Sequence, residues 1–347
     1  MINQRLFDWY GIDTHKDLAL KTFCPRPYDT VLIDKMGSCY LCECTSWLPQ
    51  SAGNLHIQSL ENIVNSTTAA ELQNSIADGS YRYCNNKQCS YLLDTRPETK
   101  VWSAVIPNRQ IKNIRLAIDD SCNLSCPSCR TRQIFERDKF QLRKKYKLAN
   151  RIIEYVQSQS HQINIHVGSD GDPFASLVYR YFIKGIKDLP NVRFSIHTNG
   201  LLIKKMYHRH TELFEKLDAL NVSIDGATKE TYETLRRGGS YEKIVENLEA
   251  VKELKTKHGF KFVLHFVVQA ENYREMPAIV ELAEKYGADR VWLNKITNWN
   301  TFVDFKSKNV DDPDHPENKS YVDIARQLKQ RSKMYSTRFI EMPTLNI

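Results

Sequence analysis

Three cysteines within eight residues, Cys122, Cys126 and Cys129, are the side chains of this chain best suited to chemistry. Their spacing, Cys-x3-Cys-x2-Cys, supplies three thiolates, one fewer than the four that usually close a zinc or iron–sulfur site. A [4Fe–4S] cubane held by three cysteines keeps one iron open for a substrate or cofactor. A zinc knuckle or a structural cysteine cluster is the alternative reading of the triplet alone. Six further cysteines precede it: Cys24, Cys39, Cys42, Cys44, Cys84 and Cys89. Nine in all, an odd number, argue for metal or redox chemistry over disulfide pairing.

These residues need a scaffold, and the pattern after residue 111 predicts one. Strand-like runs occur at Ile114–Ile118, Ile163–Val167, Val192–His197, Ala219–Ile224, Phe260–Val268 and Arg290–Leu293. Helix-like stretches of mixed charge lie between them, such as Tyr146–Gln159 and Tyr241–Lys257. Strand–helix alternation predicts parallel βαβ units, and six of them predict an α/β fold of the partial (β/α)6 barrel kind. In such folds the loops after the strands carry the chemistry, and the triplet directly follows the first strand. Residues 1–105 read differently, rich in Pro, Asn, Ser and Cys, with one helix near Thr68–Ala77 and a capping box at Thr68-Ala-Ala-Glu71. Pro97 and Pro107 bracket the join.

Composition narrows the class. The 347 residues are 41% hydrophobic and 26% charged, ordinary for a globular protein of two domains or a barrel with an appendage. No apolar run is long enough to span a membrane, and no signal peptide is legible, so a cytoplasmic location is expected. The net charge of +8 fits an anionic substrate, a nucleic acid or an acidic electron donor. The basic run Arg143–Lys147 reads as a solvated helix face, and no nucleic-acid motif accompanies it.

The run Asp119-Asp-Ser-Cys122-Asn-Leu-Ser-Cys126-Pro-Ser-Cys129-Arg130 resembles the radical S-adenosylmethionine (radical SAM) enzymes. The resemblance implies a cluster on Cys122, Cys126 and Cys129 whose open iron chelates S-adenosylmethionine and cleaves it to a 5′-deoxyadenosyl radical. Four later segments are similar to the family pattern. Gly168-Ser-Asp-Gly171-Asp172-Pro173 stands where the family has Gly-Gly-Glu-Pro, so its backbone and the carboxylate of Asp172, a shorter acid, are implied to face the methionine amino group. Asn199 follows the third strand in Thr198-Asn-Gly200. Ser223 and Arg236 occupy the places where the family binds ribose and carboxylate, the latter suited to a guanidinium fork. Val268 closes the fifth strand, where adenine is implied to stack. The residue before the third cysteine departs from the family, being Ser128 rather than an aromatic.

The N-terminal cysteines resemble the auxiliary-cluster module called SPASM, or its shorter twitch form, placed ahead of the barrel instead of after it. On that resemblance Cys24, Cys42, Cys84 and Cys89 would ligate one auxiliary [4Fe–4S] cluster, a structural zinc site being the alternative. Cys39 and Cys44 are left as substitute ligands, packing residues or hydrogen-atom donors. His166, His197 and His265 lie on or near strand ends, where a histidine serves as a general base or as a hydrogen-bonded core residue. Cys39, Cys44 and His197 are thus the candidate catalytic groups. The domains expected are 1–105, auxiliary, and 106–347, barrel. The expected function is hydrogen abstraction from a peptide or carbohydrate-like substrate, giving oxidation, epimerisation or crosslinking. A flavodoxin or ferredoxin would supply the electron. The 23 residues ahead of Cys24 are too few for a separate leader-binding domain. The alternative class is a non-catalytic electron carrier or a zinc-stabilised binding module.

Overall fold

The computed structural model describes residues 23–43, 48, 51–85, 89–93, 110–332 and 339–342. Its elements run α1 (Arg26–Asp29), β1 (Thr30–Asp34), β2 (Ser38–Tyr40), β3 (Gly53–Asn54), α2 (Leu60–Val64), α3 (Thr67–Ala77), α4 (Ser90–Leu93), β4 (Asn113–Ala117), α5 (Lys139–Ser158), β5 (Ile163–Val167) and α6 (Leu177–Ile186). There follow β6 (Val192–Thr198), α7 (Ile203–Arg209), α8 (Thr211–Glu215), β7 (Leu217–Ser223), α9 (Lys229–Leu235), α10 (Tyr241–His258), β8 (Lys261–Val268), α11 (Met276–Lys285), β9 (Arg290–Lys295), α12 (Asn318–Ser332) and β10 (Ile340–Glu341). All six expected strands are present and alternate with helices. The protein is of the α/β class with a mostly parallel sheet.

Two compact units emerge, Met1–Asp119 with Arg137–Asp170 and Tyr181–Arg193, and Asp120–Glu136 with Gly171–Arg180 and Phe194–Ile347. In the first, β5 and β1 flank β4 in parallel, and β2 and β3 continue antiparallel from β1. β1, from the cysteine-rich segment, therefore joins the same ladder as β4. The expected boundary at 105/106, with Pro97 and Pro107, lies outside the described residues.

In the second unit β6, β7, β8, β9 and β10 pair in parallel. Strands of a parallel sheet covered on both faces are usually apolar throughout. Here they alternate: Phe262, Leu264, Phe266 and Val268 of β8 are buried, whereas His265 and Val267 between them are only partly so. Register sets His197 beside Asn221, Ser223 beside His265, and His265 beside Trp292. One face of this sheet is thus core and the other carries polar groups.

Helix ends follow local chemistry. α10 starts where Ser240 Oγ accepts from Lys243 N at 3.2 Å and stops at Gly259, whose φ of 76° suits a residue without Cβ. α5 begins seven residues earlier than the apolar periodicity marks, because Asp138 Oδ1 accepts from Gln141 N at 2.8 Å. α3 corrects the expected capping box: Ser66, not Thr68, is the cap, its Oγ accepting from Ala69 N at 3.1 Å. The N-terminal region also holds α1, α2 and α4, each too short to leave a periodic signature.

Candidate functional site

The three cysteines occupy a loop of the second unit that is closed on itself. Cys122 N donates to Ile134 O at 2.7 Å, and Cys126 O accepts from the N–H groups of Cys129 and Arg130, both at 2.9 Å. Gln133 Nε2 donates to Asn123 O at 2.8 Å. Arg237 braces the loop, its carbonyl accepting from Ser125 N at 2.9 Å while its Nε donates to Ser125 Oγ at 3.1 Å. Cys122 and Cys126 are buried and Cys129 is exposed.

Each sulfur has a nitrogen donor within reach. Leu124 N lies 3.4 Å and Asn199 Nδ2 3.7 Å from Cys122 Sγ. Arg236 Nη1 lies 3.9 Å from Cys126 Sγ. Arg130 Nε and Nη2 both lie 3.5 Å from Cys129 Sγ, while Nη1 is anchored on Asp120 O at 2.6 Å. Burial, reinforced by Asp172, pushes the Cys122 thiol up to about 11. Burial also raises Cys126, with the Arg236 charge opposing it. Thiols so placed resist ionisation alone and yield thiolates to a metal, whose charge offsets the desolvation. Among the described residues no three His, Cys, Asp or Glu side chains converge closely enough to hold a metal ion. The donor set nevertheless fits an iron–sulfur cluster: three thiols, each with an N–H aimed at its sulfur.

Around this loop the sheet ends bring several expected residues together. Asn199 spans the loop, its Nδ2 donating to Asn123 Oδ1 at 2.9 Å. Gly171 opens its turn with φ 66°, and Pro173 follows Asp172 in the same unit. Asp172 is placed otherwise than expected. Its Oδ1 accepts from Phe174 N and Ala175 N at 3.0 and 3.1 Å, and its Oδ2 from Thr198 Oγ1 and Asn199 N at 2.7 and 2.8 Å. With four donors on a fully buried carboxylate, the side chain ties the turn to the end of β6 and presents no free oxygen to a cofactor.

Arg236 also has a partner already. Its Nε lies 2.8 Å from Oδ2 of the buried Asp225, and Asp225 Oδ1 accepts from Val267 N at 2.9 Å. Asp225 sits in the Ser223-Ile-Asp-Gly226 run, and its role was not assigned from sequence. Asn123 and Arg130, inside and just after the triplet, were missed too, since only a fold shows what they touch. Val268 is 2% exposed at the end of β8. Ser223 Oγ is 2.7 Å from His197 Nε2. The His197 ring packs 4.5 Å from that of His265, which packs 5.2 Å from Trp292. His265 Nε2 meets Asn221 Oδ1 at 3.1 Å, and burial, aided by the Arg236 charge, lowers its pKa to about 4. Trp292 Nε1 is buried with no hydrogen-bond partner. His166 stands on β5 of the first unit, beside Arg115 of β4.

The first unit gathers Cys24, Cys42, Cys84 and Cys89 on one apolar cavity, shared with Arg26 and Tyr83. Burial pushes Cys24 up to about 12 and raises Cys84 well above the usual thiol range, each further raised by neighbouring members of the four. The four thiols line one apolar wall, but they do not converge closely enough to hold a metal ion. Cys39 does not line the cavity. It is wholly buried on β2 with its Sγ 3.7 Å from Gly37 O, the position of a packing residue. Cys44 lies outside the described residues.

Comparison with known proteins supplies the rest. Residues 118–283 match the radical SAM superfamily. A probable GTP 3′,8-cyclase of Methanococcus maripaludis is 27% identical over 184 residues, 52% of this chain and 57% of that protein. GTP 3′,8-cyclase of Limosilactobacillus fermentum is 23% identical over 202 residues, 57% of this chain and 58% of the relative. The chain thus spans a little over half the length of these curated relatives. Among solved structures, Streptococcus suis SuiB bound to S-adenosylmethionine aligns over 68% of this chain and 50% of its own, with 12% identity and a TM-score of 0.47. The anSMEcpe enzyme with bound AdoMet and Cp18Cys peptide aligns over 66% of this chain and 62% of its own, with 17% identity and a TM-score of 0.42. The stretch that matches the radical SAM superfamily, residues 118–283, encloses the cysteine loop and the strand ends around it.

Proposed function

We propose that this protein binds S-adenosylmethionine at the Cys122–Cys126–Cys129 loop and uses the resulting radical to abstract a hydrogen atom from a polar organic substrate. The observation that carries the reading is the set of nitrogen donors on all three thiols, inside the matched domain. Cys122, Cys126 and Cys129 would hold a [4Fe–4S] cluster, which would supply the electron for reductive cleavage of S-adenosylmethionine. The chain's own residues orient and shield. Asn199 fixes the loop against β6, and Asp172 fixes the turn whose Gly171 and Pro173 backbone faces the cofactor. Arg236, held by Asp225, gives its remaining N–H groups to the cofactor carboxylate. Ser223 serves the ribose, with His197 setting its hydroxyl direction, and Val268 forms the adenine wall. Residues 1–105 act as the auxiliary domain, Cys24, Cys42, Cys84 and Cys89 holding one further cluster.

The polar face of β6–β9 supports a substrate recognised by hydrogen bonds and ring packing, consistent with a peptide or carbohydrate-like molecule. Arg236 and Arg290 of that unit are paired with Asp225 and Glu341, which leaves less charge for a polyphosphate. A second reading, a cyclase acting on GTP, is favoured by the names of the curated relatives. A cytoplasmic location accords with this chemistry, and no helix among the described residues is long and apolar enough to cross a membrane. Replacing Cys122, Cys126 and Cys129 together with alanine is expected to abolish 5′-deoxyadenosine formation with dithionite. Formation that survives in the folded triple variant would overturn the assignment. Supplying GTP to the wild type and searching for a cyclised product separates the two substrate readings.

A further inference from the structure

α5 is basic through its first fifteen residues. Residues 139–153 contain six cations, Lys139, Arg143, Lys144, Lys145, Lys147 and Arg151, and no acid. Lys139, in the first turn, opposes the positive end of the macrodipole. Two of the six have local work: Lys145 Nζ is 2.6 Å from buried Asp119 Oδ1, and Arg151 Nη1 donates to Leu55 O and Gln58 O. The other four are exposed and have no acidic partner among the described residues.

They do not stand alone. Phe140 is 61% exposed, with Lys144 Nζ 4.5 Å from its ring centre. Lys144 and Arg151 also act on His56, whose ring packs over Gly37. Beside it Ile57 is 81% and Met36 67% exposed, joined through Asn54, whose Nδ2 donates to Met36 O at 2.9 Å and whose Oδ1 accepts from His56 N at 2.8 Å. Asp34, whose Oδ1 accepts from Met36 N at 2.9 Å, is the acid beside this otherwise basic rim. Apolar side chains within a predominantly basic rim form a protein-docking surface, the apolar centre giving affinity and the rim steering encounter. Nucleic acid calls for ring planes along a basic groove, whereas two of these three centres are aliphatic. A lipid surface calls for an outward apolar face, but Leu148, Ile152 and Val156 of α5 are buried inward.

We propose that this face of the first unit, with Lys139, Arg143, Lys144 and Lys147 around Phe140, Ile57 and Met36, docks an acidic protein electron carrier. The inference rests on the radical reading, which needs a one-electron donor. The carrier is oxidised by one electron, a cluster on this protein is reduced by one, and no bond forms or breaks in that transfer.

The test uses the reconstituted full chain and the variant R143E/K144E/K147E, which changes three exposed positions of α5. Binding of a flavodoxin and of a ferredoxin is measured by titration calorimetry at low and high salt, without turnover. Formation of 5′-deoxyadenosine is followed in parallel with carrier plus reductase and with dithionite. Expected are a loss of carrier affinity of about tenfold or more in the variant, a weaker salt dependence, and a matching loss of carrier-driven turnover. Dithionite-driven turnover stays unchanged. The neutral variant M36S/I57S is expected to weaken binding without altering the salt dependence. Unchanged carrier affinity in the charge-reversed variant, no carrier binding by the wild type, or equal losses with both reductants would each overturn the proposal. So would binding of an acidic peptide or RNA to this face in place of either carrier. Wild-type protein that binds a carrier but makes no 5′-deoxyadenosine with dithionite would instead overturn the radical reading.

Discussion

At the scale of single residues, the environments of the buried polar groups decide what each can do. Asp172 was assigned to a cofactor by its place in Gly171-Asp172-Pro173, yet its two oxygens meet four donors of the chain itself. Asp172→Ala leaves those donors buried and unpaired, so a stability loss of at least about 2 kcal/mol is expected in urea unfolding. A change that abolished S-adenosylmethionine binding with no loss of stability would contradict the structural role. His265 gives a pH signature. Its folded-state pKa, about 4, lies below the ordinary 6.5, so the unfolded chain takes up the proton first. Its contribution is therefore intact above about 6.5 and is lost as pH falls toward about 4, on the order of 1–2 kcal/mol after allowing for partial exposure. Wild type should lose more stability than His265→Gln between neutral pH and pH 5, read from urea midpoints; equal losses would remove the effect.

Elements were legible wherever a period or a cap repeated, and illegible where a contact across the fold made the decision. The six strands of the βα alternation could be read because their apolar runs are bounded by turns. β10 and the parallel pairing of β1 with β4 could not, since two or five residues carry no sign of a distant partner. The cysteine loop was legible from spacing alone, but Asn123, Arg130 and Asp225 matter through what folding brings near them. Glycines show the same contrast in energetic form. A Cβ at Gly200, where φ is 83°, would sit 2.5 Å from Ile244 Cδ1 and 2.8 Å from Val222 Cγ1. At Gly259, with φ 76°, it would meet nothing within 4 Å. Gly259→Ala is expected to cost about 1 kcal/mol, for the left-handed conformation alone. Gly200→Ala adds overpacking and should cost roughly 2–4 kcal/mol. Thermal unfolding of the two variants checks the order, and equal shifts would mean that the turn after β6 yields.

At the scale of the whole molecule, the proposed function gives the two sets of cysteines different duties. Cys24, Cys42, Cys84 and Cys89 share one cavity of the first unit, while Cys122, Cys126 and Cys129 share one loop of the second. Replacing Cys84 and Cys89 with serine should roughly halve the iron bound, from about eight atoms to about four, if each set holds a cubane. Cleavage of S-adenosylmethionine without substrate should persist in that variant, and substrate turnover should fail. Loss of both in a folded protein would contradict the division. The measurement that bears most directly on the central claim is made anaerobically on the reconstituted wild-type chain, with S-adenosylmethionine and dithionite. Iron is counted and 5′-deoxyadenosine followed by mass spectrometry. The account predicts bound iron together with 5′-deoxyadenosine. Zinc in place of iron, with no 5′-deoxyadenosine, would contradict it.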